Sequence, residues 1–200
     1  MPVDRQHAVI LDHKNKPVEM AGCAKEEERM HELFSEVDQI GLVVRQLEPA
    51  MERYVAAGIG PWWVGTYAPP RLTDMKLRGK DVRFSMRVAL AFVGRTQWEL
   101  IQPLEGPSIY WEHLEERGES IHHVQLAVRR HSLDELTRSL AALNCPVVME
   151  GRFGGSRFVY FDTTALLGVM AEVRDAPADY VRPEPDFWYP EGAETAAFRR

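Results

Sequence analysis

The sequence predicts an α+β protein built from two βαβββ halves, and three observations predict it. The chain repeats itself: QIGLVVRQLEPAMERYVAAGI from Gln39 and HVQLAVRRHSLDELTRSLAALNC from His123 both open on a short alternating strand ending in Val-Arg. Both then enter an amphipathic helix that stops at a helix-ending residue, Gly58 or Asn144. Three strand-like segments follow each helix, bounded by Gly, Pro or polar turns. A length of 200 residues with 45 % apolar and 27 % charged side chains suits one compact unit or two small halves with an ordinary core.

After the first strand, Pro49 suits the first turn of a helix whose buried stripe is Leu47, Met51, Tyr54 and Val55. The strands Trp62–Tyr67, Arg83–Val93 and Gln97–Gln102 complete the first half, over residues 36–104. Residues 105–118 read as a short linking helix carrying Tyr110, Trp111 and Leu114. In the second half, residues 119–175, the helix starts at a capping box, Ser132 with Glu135 three positions later. Leu133, Leu136, Leu140 and Leu143 line one face of that helix, and the strands Pro146–Glu150, Arg157–Phe161 and Gly168–Val173 follow. Residues 1–35 read as an extension wrapping the core or a second subunit, and residues 176–200, with Pro177, Pro183, Pro185 and Phe187-Trp-Tyr189, as an extended arm that docks somewhere. Two such halves pair about a pseudo-twofold axis, their sheets curve around a shared cleft, and equivalent positions face each other across it.

Composition excludes several classes. A net charge of -6, from 30 acidic and 24 basic residues, lacks the footprint of nucleic-acid binding. The two cysteines, Cys23 and Cys145, form no CxxC, which excludes a zinc ribbon, a thioredoxin-type site and a disulfide scaffold and suggests a reduced compartment. The apolar run Ala8–Leu11 is too short for a signal peptide or a membrane span. A cytoplasmic protein with a small-molecule substrate is expected. A homodimer is also expected, because curved open sheets leave edges to cover.

The chemistry lies at four equivalent positions. The first strand of each half opens on a polar side chain, Gln39 or His123. The last strand of each half carries a carboxylate among apolar neighbours, Glu99 in Trp-Glu-Leu-Ile and Glu172 in Met-Ala-Glu-Val. Burying a carboxylate without a partner is expensive. Either glutamate alone fits the solvent side of an edge strand, but two at equivalent places call for a common cause. A divalent cation supplies it: three oxygen donors and one nitrogen suit Zn, Mn, Co, Ni or Fe(II).

These residues resemble the vicinal oxygen chelate superfamily, the glyoxalase, bleomycin-resistance and dioxygenase group, nearest its methylmalonyl-CoA epimerase and glyoxalase I branches. The resemblance spans roughly residues 36 to 175 and rests on Asp38-Gln-Ile-Gly41, Glu99-Leu-Ile-Gln-Pro-Leu104, Ile121-His-His-Val124, Gly154-Gly-Ser-Arg157 and Gly168-Val-Met-Ala-Glu172. It implies a curved, incompletely closed eight-stranded barrel around a cleft, and Gln39, Glu99, His123 and Glu172 as metal ligands. The second histidine of the pair is the family ligand, hence His123 over His122. It further implies a metal-dependent isomerase or lyase, in which substrate oxygens are chelated and a glutamate, Glu172 first and Glu99 second, moves a proton alpha to a carbonyl through an enolate-like intermediate. Gln at 39 with Glu at 99 is similar to the zinc-type glyoxalases, whereas the epimerases usually carry His at the first position. The epimerases' additional carboxylate base has no counterpart in Val82–Val88. Two other readings remain open: a ring-cleaving extradiol-type dioxygenase, weakened by Gln39 where a two-histidine iron site needs His, and a non-catalytic resistance-type binder of an aromatic compound.

Other polar residues carry less. The basic stretch Arg71–Arg87 reads mainly as a solvated face, with Arg87 expected to line the cleft and Arg157 a second substrate-binding candidate. Gly154 and Gly155 suit a hairpin. His122 is expected to face away from His123, since successive strand residues alternate, and Cys145 to be buried and inert.

Overall fold

The computed structural model describes residues 36–128 and 132–193. The predicted extension 1–35 and the end of the predicted arm, 194–200, lie outside the described residues. The strands are β1 (Val37–Val43), β2 (Trp62–Tyr67), β3 (Leu72–Leu77), β4 (Lys80–Asp81), β5 (Met86–Val93), β6 (Thr96–Pro103), β7 (Ser120–Leu126), β8 (Val147–Phe153), β9 (Ser156–Phe161), β10 (Met170–Asp175) and β11 (Phe187–Tyr189). The helices are α1 (Leu47–Ala56), α2 (Ile109–Arg117), α3 (Leu133–Ala142) and the single turn α4 (Thr164–Leu167).

All strands join one curved sheet in the order β11-β2-β5-β6-β1-β7-β10-β9-β8-β3-β4. The two halves meet where β1 and β7 pair antiparallel, with Gln39 opposite Gln125 and Gly41 opposite His123. Exchanging the halves turns one pair into the other, as a pseudo-twofold axis requires. Outside this seam the order is the same on both sides, β6-β5-β2 and β10-β9-β8, and β6 and β10 lie parallel to β1 and β7.

The sheet curls almost back on itself. Only Ala68–Arg71 separate β2, near one end of the ladder, from β3, near the other, and that link reaches at most about 18 Å. Tyr67 and Phe153 stack across the gap, ring centroids 3.7 Å apart. Eight strands were expected and eleven are present among the described residues. The additional ones are the hairpin β3–β4, which forms from the basic stretch and pairs with β8, and β11, which pairs with β2.

Helix α1 covers Val64, Ala89, Ala91 and Leu100 with Leu47, Ala50 and Met51. Helix α3 covers Val159, Phe161 and Val173 with Leu136 and Leu140, and its capping box is formed. Leu143, expected on that face, is instead exposed one step past the helix. The alternate residues of the strands point inward, where Val43, Met86, Val88, Leu90, Ile101, Phe158 and Tyr160 pack with Ile109, Tyr110 and Leu114 of α2. The predicted linking helix therefore plugs one end of the barrel, and the other end remains as a cavity.

Candidate metal centre

The inward positions that are not apolar gather in that cavity. Its wall includes Gln39, Gln97, Glu99, Gln125, Glu172 and Arg174, with Tyr67, Leu90, Phe153, Ser156, Phe158, Tyr180 and Arg182, around a space of ≈ 40 Å³. That volume holds an ion and a few waters. Glu99, His123 and Glu172 each offer one ligand atom, all within 4.8 Å of one another and all three residues buried. His123 Nε2 lies 3.2 Å from Glu99 Oε2 and 3.0 Å from Glu172 Oε2, yet none of these three buried atoms has a well-formed hydrogen bond. Orphaned buried polar atoms are rare and costly. One imidazole nitrogen and two carboxylate oxygens converging this way are a donor set that fits a borderline divalent cation.

Two backbone features aim His123. A Cβ on Gly41 would lie 1.8 Å from His123 Cε1, so the imidazole occupies the space over a residue that has no side chain. Between Gly41 and Leu42 the partner on β7 jumps from His123 to Ile121, a β-bulge whose extra residue is His122. The bulge overturns the expected alternation and buries both histidines on the inner side. Their Nδ1 atoms stand 3.0 Å apart, and the His122 ring lies within 6 Å of Tyr110, His113 and Tyr160. Two facing ring nitrogens make a hydrogen bond only when one of them carries a hydrogen. A hydrogen on His123 Nδ1 leaves its Nε2 lone pair toward the two carboxylates, the form in which imidazole ligates metal.

Electrostatics are unusual here. Burial opposes a charge on His123, but its contacts with Glu172 and Glu99 prevail and hold the imidazole up at about 9. Burial pushes the Glu99 carboxyl above its ordinary range, against the pull of His123. Burial also raises the Tyr67, Tyr110 and Tyr160 hydroxyls, so all three remain phenols at neutral pH, and Tyr110 donates to Tyr160 at 3.0 Å.

The structure thus brings together three of the four predicted ligands. Gln39 lines the same cavity and donates its amide N–H to Gln97 Oε1 at 2.8 Å, which leaves its amide oxygen as the atom that could join the others. The two predicted substrate arginines are elsewhere. Arg87 shares the outer face of β5 with Ala89 and Ala91 and pairs with Glu48 of α1 at 2.6 Å. Arg157, on the outer face of β9, pairs with Glu150 of β8 at 2.6 Å. Sequence reasoning missed Gln97, Gln125 and Arg174, each two residues from a predicted ligand and therefore on the same face. It also missed Tyr180 and Arg182, for which no sequence signal shows that the arm returns across the cavity.

A family model described as the Glyoxalase/Bleomycin resistance protein/Dioxygenase superfamily matches residues 38–161. Among solved structures, hypothetical protein BH1468 from Bacillus halodurans C-125 is similar at 18 % identity and a TM-score of 0.52, over 74 % of this chain and 98 % of that one. Methylmalonyl-CoA epimerase from Mycobacterium tuberculosis is similar at 22 % identity and a TM-score of 0.50, over 73 % of this chain and 91 % of that one. At these identities the likeness is one of fold. No curated protein matches the chain.

Proposed function

Because the chain belongs to the glyoxalase/bleomycin resistance/dioxygenase superfamily, we propose that it is a metal-dependent isomerase or lyase of the glyoxalase/epimerase type. The observation that carries this reading is the convergence of three buried ligand atoms from Glu99, His123 and Glu172, all within 4.8 Å of one another. Gln39 would complete the set through its amide oxygen. A divalent cation, when bound, supplies Lewis-acid polarisation of substrate oxygens.

The chain's own residues do the rest. His123, seated over Gly41, holds its nitrogen toward the centre and carries no proton to the substrate. A glutamate moves the proton alpha to a carbonyl, Glu172 first and Glu99 second, the acting one standing off the cation to do so, because a bound cation lowers a carboxylate's basicity. The phenols of Tyr67, Tyr110 and Tyr160 remain neutral and do not compete as bases. One imidazole with two carboxylates differs from the two-histidine, one-carboxylate set of ring-cleaving iron enzymes, which favours proton transfer over dioxygen chemistry.

The test is solvent deuterium exchange. Protein loaded with Zn, Co, Ni or Mn is incubated in heavy water with hemithioacetals of 2-oxoaldehydes and with acyl-CoA thioesters. Deuterium is expected at the alpha carbon of one class, dependent on metal, and about 10²–10⁴-fold slower in Glu172→Gln or Glu99→Gln, whichever carboxylate is the base. No exchange with either class, as a non-catalytic binder would give, or exchange indifferent to both Glu99→Gln and Glu172→Gln, would overturn the proposal.

A further inference from the structure

A row of three glutamines crosses the cavity wall. Gln97 of β6, Gln39 of β1 and Gln125 of β7 stand on three adjacent strands, with Gln39 in register with each of the other two. Gln97 lies two residues before Glu99 and therefore on the same face of β6. Gln39 and Gln97 are both buried, and burying an amide is costly unless it is hydrogen-bonded. The Gln39 Nε2–H donates to Gln97 Oε1 at 2.8 Å. Among the described residues, Gln39 Oε1 keeps its lone pairs unused.

A primary amide has nearly the same shape whichever way round it sits, so packing does not choose which end faces inward. Hydrogen bonds and charge choose. For a cation the two ends are opposites: the oxygen offers lone pairs, and the NH2 group offers only hydrogens. Gln39 and Gln97 therefore form one two-state unit. When Gln97 presents its oxygen, Gln39 gives its N–H and keeps its own oxygen for a ligand. When Gln97 turns over and presents its NH2 group, the Gln39 oxygen is taken and the Gln39 NH2 group turns away from Gln97. The structure holds the first arrangement. It does so although Glu99 and Glu172 line the same cavity, and either carboxylate is a stronger acceptor for an amide N–H than a neutral carbonyl.

We propose that Gln97 is a positioning residue for the candidate centre: its side-chain carbonyl takes the Gln39 N–H and so makes the Gln39 oxygen the fourth donor beside Glu99, His123 and Glu172. This inference rests on the proposed cation with Gln39 among its ligands, and it adds the residue that decides whether Gln39 serves. A cation and this arrangement of the pair stabilise each other, because a cation favours only the state in which Gln39 offers oxygen.

The experiment is a double-mutant cycle read by calorimetric titration of the full chain with Co²⁺. Gln97→Met keeps the length of the side chain and removes the acceptor. It is expected to bind Co²⁺ about 10–100-fold more weakly than the wild type, the usual effect of losing a ligand's outer partner. In a Gln39→Met background the same substitution should change the affinity by less than about twofold, because no amide is left to orient. Gln97→Glu, whose carboxylate only accepts, should bind Co²⁺ at least as tightly as the wild type, and it stands as the test if Gln97→Met does not fold. Unchanged Co²⁺ affinity in Gln97→Met overturns the proposal. So does a loss equally large in the Gln39→Met background, which would mark a general disturbance of the cavity, and so does a loss in Gln97→Glu. A metal-free arm separates this inference from the metal reading. In ¹⁵N spectra without metal, the Gln39 side-chain NH2 protons should exchange with solvent more slowly in the wild type than in Gln97→Met. If the wild type takes up no Co²⁺, the metal reading fails and these spectra decide the amide pair alone. Protection lost in Gln97→Met keeps the orientation, and equal exchange removes it.

Discussion

Gly41 and His122 decide where the His123 nitrogen points, and neither is itself a ligand candidate. Any side chain at 41 meets the imidazole, 1.8 Å from its would-be Cβ. Gly41→Ala is expected to displace His123, to cost about 1–3 kcal/mol in denaturant unfolding as overpacking does, and to abolish measurable Co²⁺ uptake. His122→Phe keeps the volume but removes the nitrogen facing His123 Nδ1. It should weaken Co²⁺ binding by about 10–100-fold, the usual effect of losing a ligand's supporting hydrogen bond, while ¹⁵N spectra show His123 no longer fixed in one tautomer. Co²⁺ affinity unaltered in His122→Phe would mean that the ring is packing and nothing more. The sequence was readable at this scale wherever strand alternation ran unbroken. Glu99 and Glu172 stand among apolar neighbours at matching places in two repeats, and His123 opens the second repeat where Gln39 opens the first, a pattern that points the three toward one cavity. It failed at His122, because a bulge inserts a residue without any mark in the apolar pattern. It failed at Arg87 and Arg157 because an error of one position along a strand moves a side chain to the other face.

Among the elements, α3 shows what local chemistry alone determines. Ser132 Oγ accepts from Glu135 N–H and the Glu135 carboxylate accepts from Ser132 N–H, as the Ser-x-x-Glu spacing indicated. Ser132→Ala is expected to destabilise the fold by about 1 kcal/mol, read by thermal or denaturant unfolding, with Co²⁺ affinity unchanged because α3 covers the outer face of the sheet. The pair Arg87–Glu48 likewise belongs to the outer face and is partly exposed. Arg87→Ala should shift stability by no more than about 1 kcal/mol and leave Co²⁺ binding intact, read by denaturant unfolding and calorimetry. The elements the sequence did not disclose are those whose partners are remote. β3 takes its ladder from β8, β11 takes its ladder from β2, and nothing within either segment specifies the distant edge that it joins. The basic stretch became a hairpin that keeps Arg71, Arg78, Lys80 and Arg83 exposed, the solvated face the sequence suggested, with Arg78 forked onto Glu112 of α2 at 2.7 Å.

At the scale of the whole molecule, two repeats folded about one seam bring Glu99, His123 and Glu172 into a buried cluster, and its charge state follows from that enclosure. Without a cation His123 is an imidazolium between two carboxylates, titrating at about 9 instead of its ordinary 6.5. A folded-state value above the unfolded one contributes stability that is complete below about pH 6.5 and lost as pH rises through about 9. The melting temperature of the metal-free protein should therefore decline across that window, and His123→Gln should lack the decline. The same proton must leave before a cation enters. Co²⁺ affinity should rise by about tenfold per pH unit up to about pH 9 and flatten above it.

The most direct measurement is a calorimetric titration of metal-free protein with Co²⁺ in two buffers of different ionisation enthalpy. One cation bound per chain, with about one proton released near neutral pH and uptake lost in both His123→Gln and Glu172→Gln, is the result that follows from this centre. Saturation with no uptake, or uptake that survives both substitutions, would contradict it.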